Sequence, residues 1–387
     1  MIPLAVPNLG GNEKKYLDNC IDTTFVSSVG AYVTKFEEIV AEATGSHYAV
    51  ATSSGTTGIH AALTAVEVKH GDLVIVPTFT FIASANAVRH CGADPWLMDI
   101  SASDWCLDPR LVRDEIEKSC KRADGSLIHK PTGKRVAALM PVYTLGNIPD
   151  MKAFRAIADA YGLPLVADAA CAVGATYGSQ AFGPLADLSV LSFNGNKTVT
   201  CGGGGAVVYT ADQDRPEKQK WGERVRHLTT TARVWPDYDF DEVGFNYRMT
   251  NIQAAVGCAQ MERLDVFVSV KRSVRYWYER MLQSLTERGI TFFPTTDGSS
   301  CWFSGIVLPD GSMLETVKNV CGMMKERQIE CRPFWKPVHL QLPYKDCPKS
   351  KVTVAESLWQ RIITLPCSTD IREEEVDQVC EVLKAVL

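Results

Sequence analysis

Apolar residues fall into two alternating rhythms along the chain. In YVTKFEEIVAEATG (32–45) they recur at Val33, Phe36, Ile39, Val40 and Ala43, the spacing of one helix face, and Gly45 supplies a stop. The pattern predicts helices over 13–24 and 32–44. Short continuous apolar runs then follow: YAVAT (48–52), LVIVPT (73–78), DPWLMDI (94–100), VAALMPVY (136–143), LPLVADAA (163–170) and LSVLSF (188–193). Helical stretches such as TFIASANAVRHCG (80–92) separate them. Uninterrupted apolar strands alternating with helices predict a doubly wound, largely parallel α/β sheet covered on both faces. Ligands of such sheets bind beyond the carboxyl ends of the strands. Residues just past these runs are therefore the candidates for chemistry.

Two stretches break the rhythm. KSCKRADGSLIHKPTGKR (118–135) is polar and basic, with turn signals at Asp124-Gly125 and Pro131-Thr132-Gly133, and predicts a solvated hairpin. From NIQAAVGCAQMERLDVFVSVKRSVRYWYERMLQSL (251–285) onward the texture changes to one long helix or two in series, then to short strands and helices. A boundary near 250 divides the chain into a large domain, 1–250, and a smaller C-terminal α/β domain, 251–387.

Composition narrows the function. The chain has 387 residues, 46% of them hydrophobic and 22% charged, with net charge −5. That balance gives no polyanion affinity, so nucleic acid is not an expected partner. No run approaches the ~18 apolar residues of a membrane span, and MIPLAVPNLGGNEKK is no secretory leader. Thirteen cysteines without paired CxxC spacing fit reduced thiols of a cytoplasmic protein better than a disulfide frame or a metal site.

Four features follow the predicted strands. SSGTTG (53–58) opens a helix, where free amides and small residues suit a phosphate, although many such starts are plain caps. VADAA (166–170) ends a strand on Asp168, a carboxylate that needs a partner if buried. SFNGNKTVTCGGGG (192–205) places Ser192 five residues before Lys197, so that one turn offers a hydroxyl and an amine. GFNYRMTNIQAA (244–255) combines Asn246 and Arg248 with a helix start. Each alone has a structural explanation. Together they meet the needs of pyridoxal 5′-phosphate: an amine for its aldehyde, a carboxylate for its ring nitrogen, and a phosphate site.

The ordered set, with IPLAVPNLGGNE, FVSSVGAYVTKFEE, RHLTTTARV, DEVGFNYRMTNIQAAVGCAQMERL, RPFWKPVHLQ and LPCS, resembles the DegT/StrS-type sugar aminotransferases of fold type I. Within them it is most similar to the 4-keto-sugar enzymes of the UDP-N-acetylbacillosamine and legionaminic acid type. The resemblance implies a seven-stranded mixed, mostly parallel sheet. It implies that Lys197 bears the cofactor and moves protons, and that Asp168 pairs with the pyridine nitrogen. Ser192 and the backbone of Thr56 and Thr57 hold the phosphate, and Asn246 reaches it from the second subunit of a homodimer. Phe81 covers one ring face and Ala170 lies near the other. Cys171 stands where relatives often carry Gln, Glu or His beside the phenolic oxygen, and a thiol is a poorer hydrogen-bond partner.

The implied reaction takes an amino group from L-glutamate to a keto-sugar, most simply a nucleotide-linked 4-keto-6-deoxyhexose, for amino-sugar and surface-glycan synthesis. Phe25, Val26, Ser27 and Ser28, with Trp335, Lys336 and His339, are the expected sugar contacts. Three alternatives stand beside it. One is amination of the C8 aldehyde of an oxidised 3-deoxy-octulosonate. Another is a sugar dehydratase of this fold, whose histidine replaces the lysine. The third is a non-catalytic regulatory homologue, against which the complete Asp168–Ser192–Lys197 set argues.

Overall fold

The larger sheet carries Asp168 and Ser192 at strand ends and sets where the turns bearing Thr56 and Lys197 begin. The computed structural model describes residues 1–234 and 236–387. Among them the large-sheet strands are β1 (Tyr48–Thr52), β2 (Leu73–Pro77), β3 (Asp94–Met98), β4 (Val136–Leu139), β5 (Val166–Asp168), β6 (Leu188–Ser192) and β7 (Gly205–Tyr209). They hydrogen-bond as two blocks, β1-β7-β6-β5 and β3-β2-β4. Parallel bridges between Leu139 and Leu165, and between Val142 and Asp168, join the blocks edge to edge. β7 runs antiparallel to both of its neighbours, and the other pairings are parallel. The sheet is therefore mixed and mostly parallel, with single bridges instead of a continuous ladder at β4–β5. Pro141 and Pro164 border that join, and a proline has no N–H to give a ladder. The same prolines make β4 and β5 shorter than their apolar runs.

Helices fall where the periodicity puts them. α1 is Glu13–Asp22, α2 is Ala31–Thr44, α3 is Gly55–Ala65 and α4 is Ile82–His90. Gly45 ends α2 at φ 64°, a left-handed conformation that glycine adopts without strain. The 251–285 stretch is two helices, Asn251–Met261 and Leu264–Met281, with the break at Glu262-Arg263. The basic stretch is a hairpin of Cys120–Ala123 on Ser126–His129, with Lys121 and Arg122 exposed.

Three large cores result, the third of them, around Val50, Ile59, Val74 and Val190, on the opposite face of the large sheet from the first. Phe36, Trp96, Phe154 and Phe193 lie in the first, under the large sheet. The second surrounds an antiparallel sheet of Thr291–Phe292, Ser304–Val307, Ile362–Leu365 and Arg332–Pro333 in that spatial order. Helix Leu264–Met281 crosses between the cores, giving Phe267 to the first and Val274 and Tyr278 to the second. Ile2 and Leu4 also pack into the second. Among the described residues no helix is long and apolar enough to cross a membrane.

Candidate active site

Strand register brings the carboxyl ends of β1 and β6 together with the start of β7: Thr52 and Ser192 both pair with Gly205. Asp168, at the end of β5, pairs with Val190 of β6. Past β1, Ser54 caps α3 by accepting the Thr57 N–H at 3.1 Å, and Thr57 Oγ1 accepts the Ser54 N–H at 3.0 Å. The amides of Gly55 and Thr56 have no protein acceptor among the described residues. Glycine allows this helix start to press onto the sheet. A Cβ on Gly205 would lie 2.5 Å from the Ser54 carbonyl oxygen, and one on Gly55 2.9 Å from Ser192 Cβ.

A cavity of about 450 Å³ opens there, lined by Thr56, Phe81, Asp168, Ala170, Cys171, Ser192, Lys197 and Trp335 among others. Asp168 is 4% exposed. Ser84 Oγ donates to its Oδ2 at 2.6 Å and the Ala170 N–H to its Oδ1 at 3.1 Å. Burial pushes the Asp168 carboxyl above its ordinary range, against the opposing pull of Ser84, Ala170 and Lys197. Neutral donors compensate a buried carboxylate only in part, so the group is poised for a cation in the cavity.

Lys197 stands on the turn after β6, its N–H donating to the Asn194 carbonyl at 3.0 Å. Its Nζ donates to Cys171 Sγ at 3.2 Å and sits 3.9 Å from the centre of the Trp302 ring. Trp302 Nε1 in turn donates to the Asn196 carbonyl at 2.8 Å. The buried Cys171 thiol is pushed up by desolvation and pulled down by Lys197. It therefore enters the cavity as a thiol, a weak donor.

Other expected residues lie elsewhere. The Thr57 amide is consumed by the Ser54 cap, so the amides turned toward the cavity belong to Gly55 and Thr56. His339 is buried, with Nδ1 2.6 Å from Thr78 Oγ1 and Nε2 3.2 Å from Glu356 Oε1, and lies outside the cavity lining. Lys336 is exposed and outside the lining. Phe25, Val26, Ser27 and Ser28 do not reach this chain's own cavity. Asn251 holds that loop, donating its N–H to the Ser27 carbonyl at 2.6 Å and its Nδ2 to the Phe25 carbonyl at 2.7 Å. Asn246 is exposed and also outside the lining, its Oδ1 accepting from Arg248 Nε at 3.3 Å.

Sequence reasoning missed Ser84, Trp302 and Arg332, all of which line the cavity. Ser84 is one serine inside a predicted helix, Trp302 stands alone in the C-terminal sheet region, and Arg332 opens RPFWKPVHLQ, from which Trp335, Lys336 and His339 were the expected contacts.

Fold and cavity together define an α/β protein with a lysine, a buried carboxylate and a helix start with two free amides around one cavity. Residues 7–384 match the family model for the DegT/DnrJ/EryC1/StrS aminotransferases, and the chain belongs to that family. It is 37% identical over 387 residues to a GDP-perosamine synthase of Caulobacter vibrioides, covering 100% of this chain and 98% of that protein. It is 33% identical over 389 residues to a putative pyridoxal phosphate-dependent aminotransferase, EpsN, of Bacillus subtilis, covering 99% of this chain and 95% of the relative. Among solved structures, the putative sugar aminotransferase Spr1654 of Streptococcus pneumoniae in its PMP form superposes with TM-score 0.87 at 22% identity, covering 100% of this chain and 99% of the other. The protein is a pyridoxal phosphate-dependent sugar aminotransferase.

The donor set fits that cofactor. The free amides of Gly55 and Thr56 with Ser192 suit its phosphate, and incompletely compensated Asp168 suits a protonated ring nitrogen. Lys197, which lines the same cavity, would supply the amine.

Proposed function

We propose that the enzyme carries the amino group of L-glutamate to a nucleotide-linked 4-keto-6-deoxyhexose, for amino-sugar and surface-glycan synthesis in the cytoplasm. The observation that carries this reading is the meeting of Lys197, Asp168, Ser192 and the start of α3 in one cavity. Its relatives over nearly the full chain include proteins named for making GDP-perosamine, which favours GDP as the nucleotide.

Bound pyridoxal phosphate supplies an electron sink for the carbanion at the reacting carbon. Everything else falls to the chain. Asp168, oriented by Ser84 and the Ala170 amide, would hold a proton on the ring nitrogen. Ser192 and the Gly55 and Thr56 amides would hold the phosphate, and Phe81 and Ala170, which line the cavity, would hold the ring. Lys197 moves a proton to and from the substrate carbon as general acid and base. Cys171, the Lys197 neighbour in the cavity, would offer a thiol to the ring's oxygen. Asn246, outside its own chain's cavity, serves the phosphate of the second copy in a homodimer.

The test is single-turnover decay of the amino form of the loaded enzyme. The acceptors are GDP-, UDP- and dTDP-linked 4-keto-sugars, the aldehyde of an oxidised octulosonate, and pyruvate. Nucleotide-linked sugars should react far faster than the rest, because remote contacts orient the reacting carbonyl. Equal rates for pyruvate and every sugar would overturn the reading, and a response to the octulosonate alone would replace the acceptor.

A further inference from the structure

Two lysines reach cysteine sulfurs, and their surroundings differ. Lys197 Nζ lies 3.2 Å from Cys171 Sγ, and Lys271 Nζ lies 3.7 Å from Cys367 Sγ. Lys271 and Cys367 are both buried and lie outside the reaction cavity, and Lys271 Nζ is taken up by the Cys367 carbonyl at 2.5 Å. Lys197 and Cys171 both line that cavity, and Cys171 is the one cysteine of thirteen that does. A small solute entering the cavity meets this amine and this thiol together.

The backbone holds both ends of the contact. The Cys171 carbonyl accepts from Ser300 Oγ at 2.8 Å, and the Ala170 amide just before it is bonded to Asp168. On the other side the Lys197 N–H donates to the Asn194 carbonyl, and Trp302 Nε1 holds the Asn196 carbonyl at 2.8 Å. The Trp302 ring, 3.9 Å from Nζ, confines the amine on its remaining side. Sulfur and nitrogen are thus placed as reactants in one site, which favours bond formation between them.

We propose that Cys171 and Lys197 form a peroxide-responsive modification site, in which a hydroperoxide entering the cavity joins Sγ to Nζ as a sulfenamide. In the first step the sulfur, as thiolate, attacks one peroxide oxygen and the O–O bond breaks. Sulfur is oxidised to the sulfenic acid, and the other peroxide oxygen leaves as water. In the second step the Nζ lone pair attacks sulfur and the S–O bond breaks. The hydroxyl leaves as water with a proton from the amine, and no oxidant is consumed. One thiol, one amine and one hydrogen peroxide become one S–N bond and two waters. Burial raises the Cys171 thiol and slows the first step, while Lys197 offsets part of that. The bond itself needs only the contact in the cavity. Its effect on amino transfer rests on the aminotransferase reading above, in which Lys197 is free in the amino form of the enzyme and committed to the cofactor in the aldehyde form.

The experiment treats full-length enzyme, loaded with pyridoxamine 5′-phosphate or with pyridoxal 5′-phosphate, with excess hydrogen peroxide. Remaining thiols are alkylated, and tryptic peptides are read by tandem mass spectrometry. No lysine or arginine lies between 156 and 196, so Cys171 and Lys197 share one peptide, and a substituted Lys197 blocks the cut after itself. The amino form should give a peptide that reads through Lys197, is lighter by two hydrogens, is not alkylated at Cys171 and yields no fragments between the two residues. Transfer should fall in proportion to the linked fraction, and dithiothreitol should restore both the thiol and the transfer. The aldehyde form should resist, and Lys271 and Cys367 should stay unjoined. Lys197→Arg and Cys171→Ser, each compared with its own untreated sample, should give no linked peptide. Linkage to the same extent in both loaded forms would keep the site and remove Lys197 from the cofactor. Cys171 recovered unchanged, as a sulfinic acid or in a disulfide, with trypsin still cutting after Lys197, overturns the proposal, and so does a linked species that persists in Lys197→Arg.

Discussion

At Lys197 the amine meets a thiol on one side and an indole face on the other. Neither partner is a carboxylate, so no ion pair holds the side chain. Lys197→Ala should abolish transfer while leaving the melting curve and circular dichroism unchanged. The violet absorbance of the loaded wild type should be missing from the variant, and wild-type turnover without added amine would refute the assignment. Asp168→Asn removes the charge but keeps an acceptor for Ser84. A charged hydrogen bond is worth roughly 1.5–3 kcal/mol, so cofactor affinity should fall about tenfold or more, and turnover with it. Equilibrium titration of the cofactor-free variant measures this, and affinity and rate near wild type would reduce Asp168 to a structural cap. These two residues were legible in the sequence because each belongs to a short local pattern, a strand end or a glycine turn. Ser84 and Trp302 were not, because their bonds to the site span 84 and 106 residues of chain. Only the folded chain brings them there.

Helix α3 shows what a single element contributes and how its signal divides. Its start was legible from SSGTTG, and the capping box of Ser54 and Thr57 makes it a sharp one. The same box explains why Thr57 is a poor phosphate donor: one amide cannot serve a cap and a ligand together. The strands β1, β2, β3 and β6 were equally legible, since fully buried strands are continuous apolar runs. The antiparallel insertion of β7 was not, because pairing direction leaves no mark on an apolar run. Farther along α3, His60 is buried against Phe245, His90 and Tyr247, and burial holds its pKa down at about 4, from 6.5. The folded state therefore keeps His60 neutral where the unfolded chain has begun to bind a proton. Its contribution is complete above about pH 6.5 and is lost progressively as pH falls toward 4. Melting temperature should decline across that window, and His60→Phe should flatten the decline. An unchanged slope in a folded variant would assign the acid sensitivity to other groups.

For the whole molecule, the cavity of one chain is short of phosphate donors. A phosphate monoester carries about −1.5 to −2 charges at neutral pH, and the chain offers the Gly55 and Thr56 amides and Ser192. Asn246 lies outside its own chain's cavity, yet its segment is tied to the start of α3: Ser53 N–H donates to the Tyr247 carbonyl at 2.8 Å, and Arg248 bridges Thr52. Exposed apolar side chains of the N-terminal loop, Phe25, Val26 and Val29, are candidates for surface that a second copy would cover. We therefore expect two chains related by a two-fold axis, each lending Asn246 to the other. Lys197→Ala and Asn246→Ala should each be inactive alone. In a mixed dimer one site receives both defects and the other receives neither. Refolding the two variants together should make about half of the dimers mixed, and one good site in each gives about a quarter of wild-type activity. Dual-tag purification of the mixed species should raise that to about half. Inactive mixed dimers of verified composition would place Lys197 and Asn246 in the same chain's site, and full activity of Asn246→Ala by itself would remove the residue from the site.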